Sequence, residues 1–169
     1  MSSERLVVAI DTSTDMLACA VARVTDAIGD ERMTIDVLAT GDHMCRRRAN
    51  VELVNTIDAA LADAGRSRDE VDAYLVGRGP GSFTGVRIGI STAKGLARGA
   101  NAPLYGASTL DACAWTAWRA GVRGLLGVAA DAMRGEVYPA LYQLDEAGAH
   151  RMFDRESVVK VAVAVEEWA

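Results

Sequence analysis

The sequence predicts an α/β fold made of two β-β-β-α-β-α-type units, the second of them incomplete. Three observations carry that expectation. Short β-branched apolar runs alternate with helical stripes along the chain. The order strand, Asp11 with a polar turn, strand returns as strand, Asp131 with a polar turn, strand, 120 positions later. Between the two copies lies Gly77-Arg-Gly-Pro-Gly-Ser-Phe-Thr-Gly85, set after an apolar run and before a helical one.

The first unit opens with Leu6 to Ile10, read as a strand buried on both faces. The polar turn Asp11 to Asp15 joins it in a hairpin to a second strand, Met16 to Val24, and a third is expected over Met33 to Thr40. Asn50 to Ala64 reads as a helix, capped by Asn50, striped by Val51, Val54, Ile57 and Leu61, and stopped by Gly65. Ser67 and Glu70 have capping-box spacing over a short turn. Val71 to Val76 is a strand, the glycine segment is a loop, and a helix runs from Val86 to Ala97.

The second unit repeats the plan. Pro103 to Tyr105 is strand-like, Ser108 to Ala120 a helix, and Leu125 to Ala130 and Glu136 to Leu144 are strands around the turn Asp131 to Gly135. Pro139 cannot donate to a ladder, so its strand should be an edge or carry a bulge. Glu156 to Trp168 reads as a last helix. The domain boundary is placed between 101 and 102. By the repeat offset, the unit 102–169 needs about 50 more residues to match the first, so a naturally short or truncated chain is expected.

Composition narrows the function classes. The net charge is −5, from 18 basic and 23 acidic residues, which argues against a chain that holds nucleic acid unaided. Cys19, Cys45 and Cys113 are far apart and read as reduced thiols of a cytoplasmic protein. His43 and His150 are the only histidines and share no helix face, so no metal site and no zinc proteolysis can be placed. No apolar run approaches the ~18 residues of a membrane span.

Two segments carry candidate chemistry. Asp11-Thr-Ser-Thr14 closes a hairpin at a strand end. Hydroxyls and amides there could solvate phosphate while the carboxylate holds a hydrated Mg²⁺. Equally, such side chains satisfy their own turn. The glycine segment could present helix N–H groups to an anion or serve only as a tight turn. It is neither a Walker loop nor a dinucleotide fingerprint. Gly79, Gly81, Ser82 and Gly85 are assigned a structural role, with Gly79 and Gly81 in backbone conformations costly for other residues.

Duplicated units of this kind are the plan of the actin-like (ASKHA) ATPases. Val8-Ala-Ile-Asp-Thr-Ser-Thr14, Gly77 to Gly89, Thr92-Ala-Lys-Gly-Leu-Ala97 and Asp131-Ala-Met-Arg-Gly-Glu-Val-Tyr138 together resemble the bacterial TsaB family, once labelled glycoprotease-like. The four blocks stand in that family's order. The resemblance implies an actin-like fold and a part in making threonylcarbamoyladenosine beside the tRNA anticodon. It implies a non-catalytic subunit that pairs with a TsaD-like catalytic subunit and a TsaE-like ATPase, with tRNA met only through the complex. It makes Asp11, Thr12, Ser13 and Thr14 a vestigial phosphate hairpin, with ATP or ADP only at a subunit interface. A stand-alone actin-like phosphotransferase using Asp11 as metal ligand is the alternative. Arg46-Arg-Arg48 departs from the family pattern and reads as a solvated basic face or an acidic or RNA contact.

Both first-unit helices carry more apolar surface than one sheet face needs. Leu53, Val54, Ile57, Ala60 and Leu61 on one, and Val86, Gly89, Ile90, Ala93 and Ala97 on the other, are expected to form the partner surface. The small residues on the second should permit close approach, and the same patch should form a homodimer when the partner is absent.

Overall fold

The computed structural model describes residues 4–26, 33–45, 48–152 and 157–168. The chain falls into two compact units. One comprises Met1–Arg78 with Ser82–Ala107, the other Gly79–Gly81 with Ser108–Ala169.

The first unit is a five-stranded sheet. The strands are β1 (Glu4–Asp11), β2 (Met16–Thr25), β3 (Thr34–Met44), β4 (Ala73–Gly77) and β5 (Leu104–Ala107), in the order β3-β2-β1-β4-β5. The hairpin pairs β1 with β2 antiparallel, and β4 lies parallel to β1 on its other side. β5 adds to β4, in parallel, so the boundary moves from 101 to 107: the short strand after Pro103 completes the first sheet and does not open the second.

Alternation decides the core. Leu6, Val8 and Ile10 of β1 and Leu17, Cys19 and Val21 of β2 are buried together with Tyr74 and Val76. Val7 and Ala9 are only half-buried, which corrects the expectation of a first strand buried on both faces. α1 (Ala49–Asp63) and α2 (Phe83–Gly99) both contribute to this one core. Burial also pushes the Cys19 thiol up to about 11, because a thiolate there would lose its water.

α1 turns a different stripe inward from the one expected. Leu53, Ile57, Ala60 and Leu61 are buried, while Val51 is 60 % exposed and Val54 sits at the surface. The two stripes share Ile57 and Leu61, and the small Ala60 decides between them. Here β3 passes so close that a Cβ on Gly41 would come within 2.9 Å of Thr56 Cγ2. The helix also starts before Asn50, with Arg48 at the cap and no side-chain capping bond. Cys45 and Ala49 are buried at this entry, so Asn50 points outward. Gly65 ends the helix at φ 65°, with Arg66 N–H bonded to the Leu61 carbonyl and Gly65 N–H to that of Ala62. This is a Schellman closure. The capping box of Ser67 and Glu70 is present on a single 3₁₀ turn, Arg68–Glu70.

The second unit is built on β6 (Gly124–Met133), β7 (Glu136–Leu144), β8 (Ala149–Arg151) and β9 (Val159–Lys160), with α3 (Thr109–Arg119) and α4 (Val161–Trp168). β6 starts 120 positions after β1, and β7 starts 120 positions after β2. The repeat is therefore held in the hairpin and drifts beyond it. The core gathers Leu110 and Ala114 of α3 with Ala140, Tyr142 and Leu144 of β7. Tyr142 donates its hydroxyl proton to Asp111 Oδ1 at 2.6 Å, satisfying the one polar atom of a buried ring.

β7 is not an edge, contrary to the reading from Pro139. It pairs with β6 on one side and with both β8 and β9 on the other. Pro139 falls between the stretches that pair with β8 and β9, where its missing donor costs no ladder bond on that side. The bulge of this hairpin lies instead on β6, between Asp131 and Met133. The last helix begins at Val161, not Glu156. Ser157 and Val158 are irregular, Val159 and Lys160 form a short strand, and Glu156 lies outside the described residues.

The packing of α1 gives the first test. Leu53→Ala should lower stability by about 2–5 kcal/mol, while Val51→Ala should stay within ~0.5 kcal/mol of the parent, both read by urea unfolding. Thiol labelling gives the second. At neutral pH the exposed Cys113 should react, whereas buried Cys19 and Cys45 should resist until urea unfolds the first unit.

Candidate functional site

The tip of the β1–β2 hairpin is where the two chemistry-bearing segments of the first unit meet. Asp11 Oδ1 accepts the Ser13 N–H at 2.7 Å, an Asx turn that shapes the tip. The Thr12 hydroxyl donates to the Gly85 carbonyl at 2.7 Å, inside the first turn of α2. The Ser82 N–H donates to the Ser13 carbonyl at 2.6 Å. Thr14 Oγ1 accepts the Met16 N–H at 3.1 Å. Cys45 N–H donates to the Asp15 carbonyl at 3.0 Å, which brings the end of β3 to the same point.

Three glycines make this approach sterically available. A Cβ on Gly77 would overlap the Asp11 carboxylate, and one on Gly85 would overlap the Thr12 carbonyl. A Cβ on Gly89 would stand 2.5 Å from the Thr12 hydroxyl oxygen. The hairpin and the start of α2 are thus wedged together at a separation that only hydrogen side chains permit.

The consequence for chemistry is direct. Thr12 and Ser13 are buried, and the Thr12 hydroxyl and the Ser13 amide are both bonded within the first unit. Of the four residues expected as a vestigial phosphate hairpin, Thr12 and Ser13 bond the start of α2, Asp11 shapes the turn and Thr14 closes it onto Met16. Among the described residues no group of three or more His, Cys, Asp or Glu side chains could hold a metal ion.

The glycine segment is shorter as a loop than its sequence implies. Phe83, Thr84 and Gly85 form the first turn of α2, capped by Ser82, whose Oγ accepts the Gly85 N–H at 3.3 Å. Gly79 has φ 86°, as expected for a position only glycine takes readily. Gly81 does not have a positive φ, so its expected strain is absent. The strict demands fall on Gly77, Gly85 and Gly89 instead, through close approach.

The expected partner surface is also redistributed. Leu53, Ile57, Ala60, Leu61, Gly89, Ala93 and Ala97 are buried inside their own unit, with Ala93 at 0 % exposure. Gly85, Gly89, Ala93 and Ala97 form an i, i+4 row that lays α2 on the hairpin and sheet. Their small size serves this internal contact, so they cannot seat another chain. Val86 and Ile90 are half-buried flanks of that row. Val51 and Val54 on α1 and Phe83 on α2 are what the two helices leave open, Phe83 at 69 % exposure. The Arg87 guanidinium stacks 3.9 Å from the centre of the Phe83 ring. Phe83 is missed from the sequence because the first helical turn reads as loop. Of the Arg46–Arg48 run, Arg46 and Arg47 lie outside the described residues, and Arg48 is ion-paired to Glu52 at 2.9 Å.

The TsaD family model, described as tRNA N6-adenosine threonylcarbamoyltransferase, matches residues 43–166. The chain is 39 % identical over 160 residues to the tRNA threonylcarbamoyladenosine biosynthesis protein TsaB of Escherichia coli K12, covering 95 % of this chain and 64 % of that one. It is 41 % identical over 130 residues to the protein of the same name from Haemophilus influenzae, covering 77 % of this chain and 50 % of that one. Among solved structures, YeaZ from Pseudomonas aeruginosa superposes with a TM-score of 0.76 at 30 % identity, covering 92 % of this chain and 67 % of that one. The chain thus spans only part of the length of these curated relatives.

The wedge predicts an order of sensitivity among the glycines. Gly85→Ala should destabilise the first unit by about 1–3 kcal/mol or more, since backbone and not a mobile side chain blocks the new methyl. Gly81→Ala should be mild, within ~1 kcal/mol. Thermal melting of the two variants side by side reads the difference.

Proposed function

The chain belongs to the TsaB family, and we propose that it acts as a non-catalytic partner subunit of the complex that makes N-threonylcarbamoyladenosine in tRNA next to the anticodon. In this reading it pairs with a TsaD-like catalytic subunit, and a TsaE-like ATPase joins them. Transfer RNA is met only through the assembled complex, in the cytoplasm. Its similarity to tRNA threonylcarbamoyladenosine biosynthesis proteins supports the pathway. One observation supports a partner over a catalyst: the hairpin that would hold phosphate is closed onto α2, with the Thr12 hydroxyl donating to the Gly85 carbonyl. A stand-alone phosphotransferase needs Asp11 open to a metal ion, whereas its carboxylate abuts Gly77 and accepts the Ser13 N–H.

The pairing surface in this reading is the outer side of α1 and the start of α2, which pack against each other in the first unit. Val51, Val54 and Phe83 supply apolar anchors, and Arg87 adds a cation held flat by the Phe83 ring. A homodimer in the partner's absence remains part of the reading, although Gly89, Ala93 and Ala97 cannot be its seam.

The test mixes the purified chain with its cognate TsaD-like protein and follows assembly by size exclusion with light scattering. A stable complex is expected, with no ATP or tRNA turnover by the isolated chain. Val51→Glu and Phe83→Ala should each weaken pairing by about tenfold or more, equivalent to ~1.4 kcal/mol, with unchanged melting. ATP turnover by the chain alone that disappears in Asp11→Ala would overturn the reading in favour of the phosphotransferase.

A further inference from the structure

We draw no further inference here: the strongest candidate, the polar groove between β3 and α1 lined by Thr40, His43, Asn55, Thr56 and Asp63, carries none, because Glu52 in its wall is already ion-paired to His43 and Arg48 and nothing in the structure shows what covers the rest.

Discussion

The wedge between the β1–β2 hairpin and the first turns of α2 is the constraint on which the first unit depends. At one point it joins the end of β1, the start of β2, the end of β4 and the start of α2. The end of β3 is drawn in as well, through the bond from Cys45 to Asp15. Two hydrogen bonds cross from hairpin to helix start, one from the buried Thr12 hydroxyl and one from the Ser82 amide. Each is worth only ~1 kcal/mol net, but leaving a buried partner unpaired costs more. The sterics are stricter than the hydrogen bonds. Gly77, Gly85 and Gly89 each face an atom of Asp11 or Thr12 at a distance that no Cβ tolerates. The glycine-rich segment owes its composition to this approach, and the row continued by Ala93 and Ala97 extends the same close packing along the helix.

Much of this was legible in the sequence. The hairpin, its polar tip, the helix closed by Gly65 and the capping box at Ser67 all follow from local chemistry, and local chemistry decides them. The 120-residue repeat locates both strands of the second hairpin: β7 starts at Glu136 as expected, and β6 at Gly124, one residue before the expected Leu125. What escaped depends on neighbours far away in the chain. α1 has two overlapping stripes, and only the approach of β3 at Gly41 selects the one with Leu53 and Ala60. Small residues on α2 fit an external or an internal contact equally well, and no pattern in one helix says which. Gly81 and Gly85 look alike in the sequence, yet it is Gly85 that abuts the Thr12 carbonyl.

The fold is actin-like, and the family's motif blocks fall on parts that shape it. Val8 to Thr14 and Gly77 to Gly89 are the two halves of the wedge, and Thr92 to Ala97 continues the row that α2 lays on the sheet. The block at Asp131 forms the matching hairpin of the second unit, where Asp131 Oδ1 accepts the Met133 N–H at 2.7 Å as Asp11 Oδ1 accepts that of Ser13. The two aspartates thus share a conformational task. A motif that marks a catalytic phosphate site in related architectures is compatible with a purely structural use, because an Asx turn and a phosphate hairpin need the same residue types.

β1 and β6 show how one strand pattern behaves in two settings. β1 lies between two strands and beneath two helices, and its inward residues, Leu6, Val8 and Ile10, are buried. The equivalent positions of β6 are Leu126, Val128 and Ala130, which pack against the smaller core of α3 and β7 and remain partly exposed. The difference lies in the neighbours, since both strands are apolar throughout their middles.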